Sequence, residues 1–451
     1  MKTNQKASRS FSVQNSPISS HRISRRRFLE TSTALMAGFA IPAEGAISVV
    51  AARRNRHLPM PQRSGIEHIV VVMMENRSFD HLLGWLPGAE RRQAGLLYPD
   101  RAGVMHATAP LAPDYQGCSH PDPDHSYEGG RIEFDGGACD GWLRAGSNDE
   151  YAIGYYVQND LPFLGNAARA WTTCDHYFAA ILSETFPNRI YQHAAQTDRL
   201  DGSILPFSTL PTIWDRLAED SISARYYYSD LPFLSLWGTK YLDISSPIDE
   251  FFAACEAGTL PHVSFVEPRL QGEEAGLSND NHPHADIRNG EAFLNSVYEA
   301  VISSPNWPNT VFVINFDEWG GFFDHVPPPL APVPPADADL HSDGRRGFRV
   351  PALVISPWTR HGPIARGLYD HTSVLKMIEW RWNLKPLTIR DSTANNLAEV
   401  LNFMRPPNLN PPHFAVPNGP GPSQCPGIAN TASEWEQLAV LALQAGFYII
   451  P

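Results

Sequence analysis

The residues of this chain best suited to chemistry are the pairs Glu75–Asn76 and Asp317–Glu318, together with the hydroxyl of Thr185. Each pair offers two hard oxygen donors. An oxygen-only set suits Ca2+, Mg2+ or Mn2+ better than Zn2+, although zinc stays compatible with carboxylates. Thr185 lies in ILSETFPNRIY, just ahead of Pro187 and Asn188, in a pattern that starts a helix. A hydroxyl there sits in the positive field of backbone N–H groups. A metal-bound alcohol also loses its proton more readily and becomes a usable nucleophile. Ser183 is the competing hydroxyl, and a helix cap is the ordinary role for a lone threonine at this place.

Three of the 17 histidines stand in polar or turn-forming segments. His125 lies in PDPDHSYEGG, His282 in NDNHPHADIRNGE just before a predicted helix Ala285–Ser303, and His325 after Gly320–Gly321. Each could stabilise phosphate charge, bind a metal or protonate a leaving group. Taken singly, a histidine is by default a surface or structural residue, and His284 and His371 do not rise above that default.

Both acidic pairs end buried strands. Ile69–Met74 is a continuous apolar run without helical spacing, and Thr310–Phe316 is another. Open α/β sheets bind their ligands at the carboxyl ends of strands. If the two strands are parallel neighbours, Glu75, Asn76, Asp317 and Glu318 form one oxygen-rich cage. One such acid alone would read as a cap of a following turn; two matching strand ends favour a shared cation. The glycine pair lets the backbone turn sharply beside a ligand.

The chain has 451 residues, 43% of them hydrophobic, enough for one large α/β body with insertions. Prolines cluster in Val326–Pro335 and Pro406–Pro422, which read as long loops or arms. The first residues differ. SRRRFL at Ser24–Leu29, the short apolar stretch Ala34–Ile41 and the small residues after it read as an export signal, and the paired arginines resemble the twin-arginine type. We therefore expect residues 1–52 to be signal and linker and residues 62–451 to be a single catalytic domain whose C-terminal arm spans 400–451. The expected partner of the signal is the twin-arginine export machinery, and the destination the periplasm or beyond. The apolar stretch is too weak for a membrane span. Residues 1–60 hold ten Lys/Arg and two Asp/Glu, so the remainder carries a net charge of −21. That excludes nucleic-acid backbones and offers no basic patch to anionic membranes. None of the five cysteines has zinc-finger spacing; an exported location permits disulfides, and Cys118 with Cys139 is the expected pair.

ENRSFDH at Glu75–His81, TFPNR at Thr185–Arg189, His282-Pro283 and FDEWGGFFDHV at Phe316–Val326 together resemble the phosphoesterase family. That family includes bacterial phospholipases C, plant non-specific phospholipases C and acid phosphatases of the AcpA type. SFVEPR at Ser264–Arg269, FRVPALVISPWTR at Phe348–Arg360 and DHTSVLKMIEWRW at Asp370–Trp382 extend the resemblance, which runs in order from Gly65 to Trp382. It implies an alkaline-phosphatase-like α/β fold, a three-layer sandwich with a central, mostly parallel sheet flanked by helices and loop-rich insertions. It implies one or more divalent ions on Glu75, Asn76, Thr185, Asp317 and Glu318. Thr185 would be the nucleophile, and His125 and His282 would contact the phosphate or leaving group. His325 is a lesser candidate, and Arg189 would order the nucleophile loop. Three positions depart from the pattern: Glu184 replaces a small residue or proline, Glu318 an aspartate of some members, and Asn281 a common acid.

The expected activity is metal-dependent hydrolysis of phosphoric esters, with a phospholipid or small phosphoester as substrate. A phospholipase C acting on phosphatidylcholine-type diesters through a phosphothreonine is the first expectation. A phosphomonoesterase of the acid phosphatase type is the alternative, and a non-catalytic binder of a divalent cation or phospholipid head group is the reading from another class. Tyr155, Tyr156, Phe163, Trp319, Phe322 and Phe323 could line an acyl approach, but core packing is their ordinary role. Ala432–Gly446 is expected to be a packed amphipathic helix.

Overall fold

Eight strands form the central sheet of the computed structural model, which describes residues 58–359, 364–427 and 433–450. The export signal lies outside the described residues. In chain order the strands are β1 (His68–Met74), β2 (Thr172–Cys174), β3 (Ala224–Tyr228), β4 (Ser245–Pro247), β5 (Val263–Glu267), β6 (Thr310–Phe316), β7 (Ala352–Ile355) and β8 (Ile364–Ala365). Their order across the sheet is β8-β2-β7-β6-β1-β5-β3-β4. All neighbours are parallel except β7, which runs antiparallel to both β6 and β2.

Every residue of β1, β5, β6 and β7 is buried. Side chains alternate between the faces of a sheet, so layers must cover both faces. That is why these strands read as unbroken apolar runs in the sequence. The longer helices are α1 (Tyr127–Phe134), α2 (Thr185–Ala194), α3 (Ile248–Ala257), α4 (Ile287–Ser303), α5 (His371–Trp382) and α6 (Glu434–Gln444). α2 packs on α5, and α3 on α4. The start predicted at Ala285 moves to Ile287 because Asp286 caps α4, its carboxylate accepting from the N–H of Arg288. No helix among the described residues is long and apolar enough to cross a membrane.

The C-terminal arm crosses back over the molecule. Phe414 stacks on Tyr298, and Gly421 exchanges two hydrogen bonds with the Asn289 side chain. The arm corrects the expected disulfide: Cys118 is bonded to Cys425, not to Cys139. Cys139 is buried among Trp142, Leu143 and Phe348 instead. Cys425 reaches Cys118 because its N–H is held by the carbonyl of Ala275 and the Gln116 side chain donates to Ser423 O. α6 buries Trp435, Leu438, Ala439 and Ala442, as a packed amphipathic helix should.

Candidate active site

Register builds the floor of the site. β1 and β6 pair in parallel from His68 opposite Thr310 to Met74 opposite Phe316. The chains therefore leave the sheet side by side, and Asp317 N–H donates to Met74 O at 3.0 Å. Asp317 Oδ1 accepts from its own successor, Glu318 N–H, at 2.7 Å. Asn76 takes a left-handed conformation, φ 58°, which asparagine tolerates better than most residues. Gly320 and Gly321, both at positive φ, close the other side. A Cβ on Gly320 would lie 2.1 Å from Asn76 O, and one on Gly321 would lie 2.6 Å from Pro123 Cβ in the loop leading to His125.

Thr185 is the first residue of α2, and its hydroxyl donates to Asn76 Oδ1 at 3.2 Å. Ser183 is turned away, its hydroxyl donating to Leu200 O at 2.7 Å. One helical turn after Thr185, the buried Arg189 meets three carboxylates. Its contacts are Glu75 Oε1 at 2.9 Å, Glu267 Oε2 at 2.5 Å and Asp317 Oδ2 at 3.3 Å. Glu75 and Asp317 thus meet through a guanidinium, and Arg189 ties α2 to three strand ends.

His125 and His282 face each other with ring centroids 5.7 Å apart. His125 Nδ1 lies 2.7 Å from Pro123 O, which leaves Nε2 toward Asn76 Nδ2 at 3.3 Å. Burial opposes charge on His125, but the Glu318 and Asp122 carboxylates outweigh it and raise the imidazole to about 10. His282 is driven the other way, well below its usual value, by burial and then by His125. Its Nδ1 contacts Pro283 O, and its Nε2 lies 3.9 Å from Asp122 Oδ2. Thr185, His125, His282, Asp122, Glu184 and Trp435 line one cavity of about 180 Å³. The aromatic residues Tyr155, Tyr156, Phe163, Trp319, Phe322 and Phe323 are all buried in the core and are packing residues.

The donors at the floor fit a hard divalent cation. Asn76, Thr185, Asp317 and Glu318 present oxygens and no sulfur. Glu318 Oε1 is buried without a hydrogen-bond donor, which is costly for a carboxylate unless a positive partner is supplied, and Asp317 Oδ2 has only its ion pair with Arg189 at 3.3 Å. Burial raises the Asp317 carboxyl to about 8, and the Arg189 guanidinium offsets it only in part.

Not every candidate joins this constellation. His325 is ion-paired to Asp80 through Nδ1, and Arg349 holds Asp80 at 3.2 Å and Asp324 at 2.9 Å. That group is separate from the residues lining the Thr185 cavity. Conversely, Asp122, Glu267, Glu273 and Asp280 are not among the residues the sequence singles out for the site. Glu267 carries a signal: Val263–Glu267 is a third buried apolar strand ending in an acid, next to β1. Asp122 and Asp280 lie three and two residues before the site histidines. Glu273 sits in an irregular loop and carries no signal.

A model of the phosphoesterase family matches residues 66–385 of this chain. Non-specific phospholipase C1 of Arabidopsis thaliana is 30% identical over 401 residues, covering 80% of this chain and 75% of its own. Phospholipase C B of Mycobacterium tuberculosis is 31% identical over 430 residues, covering 78% and 80%. Among solved structures, a protein in the alkaline phosphatase superfamily from Vibrio parahaemolyticus is similar at 12% identity, with a TM-score of 0.35, over 73% of this chain and 70% of that one. The lipoteichoic acid synthase LtaP of Listeria monocytogenes is similar at 7% identity and a TM-score of 0.39, over 86% and 92%.

Proposed function

The chain belongs to the phosphoesterase family and is a hydrolase of phosphoester bonds, and on that footing we propose that it is a divalent-metal-dependent phospholipase C with Thr185 as its nucleophile. One observation carries the reading: the Thr185 hydroxyl starts a helix, lies 3.2 Å from Asn76 Oδ1 and shares a cavity with His125 and His282. The substrate is a phosphatidylcholine-type diester.

A divalent cation on Asn76, Thr185, Asp317 and Glu318, with Glu75 across Arg189, would supply charge neutralisation at the phosphoryl oxygens and favour the ionised alcohol. Thr185 Oγ, its proton released to solvent, attacks phosphorus as the bond to the glycerol oxygen breaks. His125, on the wall of the Thr185 cavity, gives a proton to that departing oxygen. Diacylglycerol leaves, and a phosphothreonine carrying the head group remains. Water then attacks the phosphorus and gives one proton to the neutral His125, the Thr185 oxygen leaves as the ionised alcohol, and the phosphoryl head group departs. The SRRRFL segment supports export by the twin-arginine pathway, which an R26K/R27K variant retained in the cytoplasm would demonstrate.

The test uses metal-loaded protein on phosphatidylcholine, p-nitrophenylphosphorylcholine and p-nitrophenyl phosphate. Diacylglycerol release that disappears in Thr185→Ala, with the fold intact, is the expected result. Turnover of the monoester alone would assign a phosphatase instead. Wild-type rates in Thr185→Ala would remove Thr185 from the chemistry, and no turnover of any of the three would leave a binding protein.

A further inference from the structure

Beside the Thr185 site lies a second group of acids. Glu75, Glu273 and Asp280 each bring a carboxylate oxygen within 4.8 Å of the others, and all three residues are buried. Each is oriented by donors on one side. Glu75 Oε1 is held by Arg189. Glu273 Oε2 accepts from the Trp435 indole at 2.7 Å. Asp280 Oδ1 accepts from the Ser278 hydroxyl at 2.7 Å and the His282 N–H at 2.8 Å. The loop itself is pinned, because Glu75 N–H donates to Asp280 O at 2.8 Å.

The opposite oxygens point to a missing partner. Glu75 Oε2 and Asp280 Oδ2 accept from no donor outside the acids themselves, on residues with 0% exposure, and the Glu75 and Glu273 carboxyls lie in hydrogen-bond contact with each other. Buried carboxylate oxygens are ordinarily satisfied by donors or by a cation. The wider charge balance agrees. Glu75, Glu267, Glu273, Asp280, Asp317 and Glu318 are all buried, and the guanidinium among them, Arg189, already faces Glu75, Glu267 and Asp317. One divalent ion on Asp317 and Glu318 leaves the Glu273–Asp280 side with no cation of its own beyond the field of Arg189, which three other carboxylates already share.

We propose that Glu75, Glu273 and Asp280 form a second site for a hard divalent cation such as Ca2+ or Mn2+, neighbouring the nucleophile site. An all-carboxylate set has the chemistry for such an ion and lacks the nitrogen or sulfur that would favour zinc or copper. Glu273 also lines the Thr185 cavity, which gives the ion an entry path.

The experiment counts metal. Full-length protein is loaded with Mn2+ and desalted, and Mn2+ per chain is measured by elemental analysis for wild type, E273Q, D280N and E318Q. Glutamine and asparagine keep the oxygen that Trp435, Ser278 and His282 use, so these variants preserve the donors' partners. Two ions per chain in wild type and one in E273Q and D280N is the expected result, with a smaller Mn2+-induced rise in melting temperature in both. One ion or none in wild type, or two retained in E273Q and D280N, overturns the proposal. E318Q separates the two sites: a full load kept there while E273Q loses an ion supports the triad and defeats the nucleophile-site reading.

Discussion

Asn76 N–H donates to Asp317 Oδ1 at 3.1 Å across 241 positions of chain. This contact exists because β1 and β6 pair without a slip over all seven residues of each strand. A shift of one residue would turn every side chain of a strand to the other face and separate the two acidic ends. The geometry of the candidate site is therefore a consequence of register, and register is set by burial on both faces.

Arg189 should be the most sensitive residue that does not contact substrate. Replacing it by Met leaves Glu75, Glu267 and Asp317 buried without their shared partner. Breaking a buried ion pair from one side costs about 3–5 kcal/mol. We expect Arg189→Met to lose that much in urea unfolding, and to lose metal affinity with it. A variant as stable as wild type would show that the cluster does not depend on its guanidinium.

Gly320→Ala tests the turn. The added Cβ would meet Asn76 O at 2.1 Å at a positive φ, so backbone must move. Strain of this kind costs about 1–3 kcal/mol. Because Asn76 is the residue displaced, turnover should fall more than the drop in melting temperature explains. Unchanged kcat would mean that Asn76 is not held by this turn.

Glu291 offers a pH prediction away from the site. It is buried on α4, and its Oε2 accepts from Phe163 N–H at 2.6 Å and Leu164 N–H at 3.0 Å, while Oε1 has no partner. Burial, only partly offset by those two bonds, raises its carboxyl from 4.5 to about 8. The folded state then keeps a proton that the unfolded chain has released, so this group lowers stability as pH rises from 4.5 to about 8 and no further beyond. Glu291→Gln keeps the acceptor and removes the charge. Its stability relative to wild type should grow across that window by a few kcal/mol, since each pH unit crossed is worth about 1.4 kcal/mol. Urea unfolding on either side of the window checks this; a difference independent of pH would contradict it.

The Cys118–Cys425 bond closes a loop with a sequence separation of 307 residues. Long closed loops restrict the unfolded chain most, and such bonds contribute about 2–4 kcal/mol. We expect a double serine variant to lose stability in that range by denaturant unfolding. A Cys139→Ser change should not alter the disulfide content, because that thiol is free.

Much of the fold is legible because burial leaves a plain trace. The unbroken apolar run Thr310–Phe316 is the observed β6, and β1 begins one residue before the predicted Ile69. Thr185 at the start of a helix follows from the turn residues around it. The disulfide is not legible, because nearness in sequence does not stand for nearness in space, and the arm carrying Cys425 runs past Tyr298 and Asn289 of α4 to reach Cys118. His325 follows the acids of its motif closely in the chain, yet its ring faces Asp80 in a different cluster. Glu273 is invisible, since one glutamate in an irregular loop looks like any surface acid until Trp435 from the last helix is seen to cover it.

The sequence alone determined which stretches must be buried strands, which oxygens stand at their ends and which hydroxyl begins a helix, because hydrophobic runs, turn residues and motifs are local properties. Only the tertiary structure decided which ends meet, that Arg189 sits among three of them, and that Glu75 faces Glu273 and Asp280 as well. Those are contacts between residues 78 to 241 positions apart, and no local pattern encodes the strand order and arm path that bring them together.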